Sequence, residues 1–240
     1  MPTLTTRANP MARILPSGRY PGRQPQMRVQ CPTQRGLRSD ERPGGLSPGY
    51  LCAARTRIML TRYLLCIQAP DEVAGRVERI GLQALPAKSN VRGSSAPVHI
   101  TVLLLDMLEQ SEAELLHAIA RGLAGVHAFI LHVNGIIHFD DERTIYADPV
   151  EKDAVLALAA AAGTPVSAFA ALHGYAAKVT DHPHLTIASG LKPAQFRTAW
   201  AVLAGKPFTA RWNVTEVALL KRPLEPGARY VELRRFALGA

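Results

Sequence analysis

Cysteine is scarce in this 240-residue chain: Cys31, Cys52 and Cys66 are widely spaced and form no CxxC pair. That excludes a disulfide framework and a cysteine-based zinc cluster, and it fits a reducing cytoplasm. Long apolar runs are lacking too. The nearest approach to a membrane span, residues 58–67, is interrupted by Arg62, so no membrane-crossing segment is expected. Acidic side chains are nearly missing from the first quarter. Residues 1–58 carry ten Arg, no Lys, and only Asp40 and Glu41, a net charge of +8. The remainder holds 18 Lys and Arg against 17 Asp and Glu, so the whole-chain charge of +9 sits almost entirely at one end. A folded part this close to neutrality is a poor general-purpose polyanion binder, because non-specific nucleic-acid affinity scales with the phosphates neutralised.

What residues 1–58 do have is eight of the 18 prolines and six of the 18 glycines, with no helical or strand period. They read as a disordered Arg/Pro/Gly-rich extension, leaving 59–240 as the folded domain. Three roles compete for the extension. It could be an untranslated upstream stretch, a basic arm for RNA, or a transit peptide whose amphipathic helix the Pro and Gly would spoil. The first is preferred, because Met59 stands immediately before the first clear strand.

Hydrophobic patterning predicts the elements of that domain. Residues 63–67 read as a buried strand. Pro70-Asp71 opens a helix with Val73, Val77 and Ile80 on one stripe. Residues 86–96 read as a loop, and 98–105 as a strand. Ser111 and Glu114 have capping-box spacing before a helix bearing Leu115, Ile119 and Leu123. Strands are expected at 128–133, 136–139 and 143–146, with Asn134-Gly135 as a hairpin turn between the first two. Asp140, Asp141 and Glu142 read as a solvated turn. Asp148 and Pro149 suit the start of a helix reaching Ala162, with Glu151 in its first turn. Residues 163–181 are ambiguous. A strand at 183–188, a helix from Pro193 with Phe196, Trp200 and Leu203, and strands at 208–220 and 229–238 around a turn at 223–227 complete the order. The class is α+β with mostly antiparallel sheet.

Two segments carry chemistry. In a strand, residues i and i+2 share a face, so His99 and Thr101 point one way while Ile100 and Val102 seal a core. His184 and Thr186 do the same, with Leu185 and Ile187 opposite. One H-x-T is weak; two, each inside an apolar strand, are hard to obtain by accident. The pairs Val98-His99-Ile100-Thr101-Val102 and Pro183-His184-Leu185-Thr186-Ile187 resemble the motifs of the 2H phosphoesterases, which include RNA 2',3'-cyclic phosphodiesterases and 2'-5' RNA ligase-like proteins. The resemblance covers about residues 60–238. It implies a bilobal fold with two mostly antiparallel sheets, flanking helices and pseudo-two-fold symmetry. It also implies His99 and His184 as acid and base, with Thr101 and Thr186 binding phosphate.

That chemistry is coherent. Phosphodiester cleavage needs one proton removed and another delivered, and histidine does either near neutral pH. No metal or other cofactor is called for. The expected activity is opening of 2',3'-cyclic phosphates on RNA ends or nucleotides by a cytoplasmic monomer. The alternatives are 2'-5' RNA ligation and a non-catalytic nucleic-acid-binding module. Some family members carry a basic residue just after H-x-T-h; here Leu103 and Ala188 stand in those places, which favours hydrolysis of short ends over ligation. Lys88 and Arg92 could form a basic lip, and Tyr175 or Trp212 could stack a base. His182 reads as a neighbour of the site rather than a metal ligand. His117, His127, His132, His138 and His173 read as surface or satisfied side chains.

Overall fold

The computed structural model describes residues 60–85 and 96–239, all within one unit spanning 54–240. The extension 1–58, Lys88 and Arg92 lie outside the described residues. Nine strands and four helices follow in the order β1 (Leu60–Gln68), α1 (Asp71–Ala84), β2 (His99–Leu108), α2 (Glu112–Leu123), β3 (Phe129–His138), β4 (Ile145–Pro149), α3 (Lys152–Leu172), β5 (Ala177–Val179), β6 (Leu185–Ala188), α4 (Pro193–Leu203), β7 (Thr209–Val214), β8 (Glu216–Pro223) and β9 (Val231–Ala237).

The strands run β7-β3-β4-β6-β2-β1-β8-β9, with β5 adding to β2, and every pairing is antiparallel. Outward from the middle, β6-β4-β3-β7 and β2-β1-β8-β9 are the two lobes of the pseudo-symmetric fold. They join where the motif strands β6 and β2 meet, at Ile100 and Leu185. The alternation inside β2 and β6 is as the pattern required. Ile100, Val102 and Leu185 are fully buried in the main core, Ile187 nearly so, and the histidines and threonines between them are half-buried. Strand β2 then changes phase. A bulge in the β1 pairing between Leu65 and Cys66 turns Leu103 into the core as well.

Several local expectations are corrected. Asn134-Gly135 is not a hairpin turn. β3 runs straight through it as a bulge, with Gly135 at φ 84° and its N–H bonded to Phe208 O at 2.8 Å. Tertiary pairing with β7 on the other edge of β3 overrides the local turn preference. The hairpin turn falls five residues later, at Asp140, Asp141 and Glu142, where Glu142 takes φ 54°. Ser111 and Glu114 form no capping box. A short 3₁₀ turn leads into α2, and Glu114 instead accepts from His173 Nε2 at 3.0 Å. Asp148 and Pro149 end β4 rather than begin a helix, and α3 starts at Lys152. The single strand expected over 208–220 is two, β7 and β8, broken at Thr215.

Helix α3 departs most from expectation. It continues ten residues past Ala162, through Gly163 and Pro165, because tertiary packing outweighs the lost backbone bond. It packs tightly on both α2 and β5: a Cβ at Gly122 would lie 2.4 Å from Ala161 O, and one at Gly163 would meet Val179 of β5 at 2.7 Å. By length and composition α3 is long and apolar enough to cross a bilayer, against the expectation that no segment is. Its buried face of Val155, Leu158, Ala162, Val166 and Ala170 belongs to the core shared with β2 and α2.

Candidate active site

The two H-x-T segments are built alike. His99 opens β2 and its Nδ1 lies 2.6 Å from Pro97 O; His184 stands just before β6 and its Nδ1 lies 2.8 Å from His182 O. A carbonyl can only accept, so each Nδ1 carries the proton, and each neutral ring keeps its lone pair on Nε2. Both rings are thereby oriented by the backbone carbonyl of the residue two places earlier, just ahead of the strand.

Antiparallel register brings the segments together. Ile100 stands opposite Leu185, so the histidine and threonine on either side of each flank one junction between the lobes. The sheet continues sideways: Thr186 pairs with Tyr146 on β4, and His99 with Gln68 on β1.

Burial lowers the pKa of both rings. For His99 the loss of water dominates, opposed by the bond to Pro97 and reinforced by the charge of His184. For His184 burial again leads, opposed by the bond to His182 O and reinforced by the charge of the His182 ring. The site therefore favours neutral imidazoles until an anion arrives.

An aromatic wall that the sequence reading missed closes round His184. Its ring lies edge-on to Phe139 at 5.0 Å and to Tyr146 at 5.4 Å. Tyr146 is buried, its hydroxyl sits 2.9 Å from His182 Nε2, and burial raises its pKa, with Asp148 and Asp140 adding to the shift. Only the H-P-H spacing hinted at this partnership; the Tyr146–Thr186 pairing is a matter of tertiary register. His182 stands beside the site, as the sequence reading placed it.

Other candidates lie elsewhere. Tyr175 hydroxyl accepts from Leu108 N at 3.4 Å, at the opposite end of β2 from His99, about 30 Å along the strand. Trp212 is in β7 with its ring in the core. His132 is paired with Glu151 and His173 with Glu114, while His138 is flanked by Phe196 and Trp200. His117 is exposed on α2, and His127 bridges to Gly239. Among the described residues, no group of three or more His, Cys, Asp or Glu is arranged to hold a metal ion.

Comparison with known proteins adds the family. Among solved structures, Escherichia coli LigT complexed with 3'-AMP is similar with a TM-score of 0.58 and 19% identity, over 75% of this chain and 99% of that one. A crystal structure described as a phosphoesterase matches with a TM-score of 0.56, at 20% identity over the same shares. TT0787 of Thermus thermophilus gives 0.54 at 22% identity, over 74% of this chain and 97% of that one. At these identities the likeness is one of fold. No curated protein matches the chain. Residues 69–225, which contain both H-x-T strands and the junction between them, match the 2'-5' RNA ligase superfamily, and the chain belongs to that family of 2H phosphoesterases.

Proposed function

We propose that the protein is a phosphodiesterase that opens 2',3'-cyclic phosphates on RNA ends or nucleotides. The observation that supports this reading is the pairing of Ile100 with Leu185, which brings the two H-x-T segments, each with a carbonyl-oriented imidazole, to one junction. One neutral Nε2 takes a proton from water as its oxygen attacks phosphorus. The bond from phosphorus to one ribose oxygen breaks, and the other imidazole, protonated, gives that oxygen its proton. Thr101 and Thr186 hydroxyls donate to the non-bridging oxygens. The product is a phosphomonoester, and the catalytic protons are restored by exchange with water. The two imidazoles supply both proton transfers, so the step asks for no metal ion or cofactor.

Hydrolysis is favoured over ligation by charge. Leu103 and Ala188 are fully buried, so neither position after a motif offers a cation to a second strand. The likeness to a LigT structure holding 3'-AMP supports a nucleotide-sized substrate. We place the protein in the cytoplasm as a monomer; Cys66 is buried and its thiol pKa is pushed up to about 12, an inert side chain suited to reducing surroundings. The test is a product assay on two substrates. Nucleoside 2',3'-cyclic phosphate should yield a monoester, and RNA halves with matched ends should yield no joined strand. Joined strand with no monoester would transfer the reading to ligation.

A further inference from the structure

The two lobes hold their histidines in the same way but anchor the holders differently. His99 is oriented by Pro97, a residue with no side-chain hydrogen bond to give. His184 is oriented by His182, whose ring is itself tied to Tyr146 at 2.9 Å, and Tyr146 stands opposite Thr186 in the sheet. The chain of contacts is closed: Tyr146 hydroxyl to His182 ring, His182 carbonyl to His184 Nδ1, and His184 ring back against Tyr146 at 5.4 Å. Phe139 packs on all three rings, at 4.6 Å from Tyr146, 4.8 Å from His182 and 5.0 Å from His184. His182 is otherwise exposed, just before the start of β6, where nothing in the sheet ladder fixes its carbonyl.

We infer that His182 is a positioning residue for His184, and that Tyr146 is the post to which it is tied. The tie fixes the direction of the His182 carbonyl, and so the His184 tautomer and the aim of its Nε2. A tyrosine keeps its proton near neutrality, and burial raises the pKa of Tyr146 further, so its hydroxyl is the donor in the 2.9 Å contact with His182 Nε2. The unequal anchoring makes His184 the more rigid of the two catalytic rings.

The inference rests on the phosphodiesterase reading for its kinetics alone; a ring spectrum tests it without turnover. In the full chain labelled with ¹⁵N-histidine, His184 should show the Nδ1–H tautomer. Tyr146→Phe and His182→Ala should each mix in the Nε2–H form. On a cyclic nucleotide each variant should lower kcat about tenfold to a hundredfold, with KM little changed, as expected for a misaimed ring. The double variant should be no worse than the worse single, because both cut one tie. His182→Gln, whose amide reaches the same hydroxyl, should restore most of the rate. A His184 tautomer unchanged in both single variants would overturn the inference, as would losses that multiply in the double variant. If the parent does not turn over the cyclic nucleotide, the phosphodiesterase reading fails, and the spectra alone decide the inference.

Discussion

Ile100 and Leu185 face each other across the junction of the two lobes, and this pairing brings two motifs far apart in sequence to one place. Neither residue touches chemistry. Both are fully buried, and each locks its neighbours to the other face of the sheet. The functional geometry thus depends on core side chains between the histidines and threonines. A one-residue slip at this junction would bury the histidines and threonines and expose the apolar side chains.

The threonines should matter through their hydroxyls, not their shape. Thr101→Val and Thr186→Val keep the β-branch and should leave Tm nearly unchanged. Each removes one donor to a charged phosphate, a bond worth about 1.5–3 kcal/mol, so kcat/KM should fall roughly tenfold to a hundredfold. Equal activity in both variants would show that the hydroxyls do not hold the phosphate.

The pH optimum should lie on the acid side of the ordinary histidine range. Burial lowers both His99 and His184, and the productive form needs one ring neutral and one protonated. The maximum of kcat/KM falls between the two apparent values of the coupled pair, so it should sit below about 6.5. A maximum above that would contradict the burial of the two rings.

The same shifts predict a stability trend. A histidine lowered by burial binds fewer protons folded than unfolded. Its contribution is whole above about pH 6.5 and is lost as the pH falls through the lowered value. Replacing His99 with Asn should therefore reduce the drop in Tm between about pH 7.5 and about pH 5.5. An unchanged drop would mean that His99 is not desolvated.

Much of this was legible in the sequence, and the failures have physical causes. The period-two alternation at 98–102 and 183–187 revealed both motif strands, because burial of one face enforces it. Register across strands far apart in sequence leaves no local trace, so Phe139 and Tyr146 could not be assigned to the site. Asn134-Gly135 misled because the same positive φ serves a bulge as well as a turn. The full length of α3 was not legible, because Gly163 and Pro165 disfavour a helix locally and are accommodated only where α3 packs on β5 and α2.

That packing is itself testable. Gly122→Ala would drive a methyl against Ala161 O and Ala162 Cα, and overpacking of this kind costs about 1–3 kcal/mol. Thermal unfolding should show a lowered Tm. The pH optimum should be unchanged, since neither Gly122 nor Ala161 belongs to the row of site residues on β2 and β6.

The most direct test of the whole account is turnover of a nucleoside 2',3'-cyclic phosphate, with EDTA present, by the full chain beside its His99→Ala and His184→Ala variants. Two-histidine catalysis predicts monoester from the parent and a loss of about 10²-fold or more in each variant, with circular dichroism spectra that superimpose. Turnover retained in either variant, or a parent that works only after a metal is returned, would contradict it.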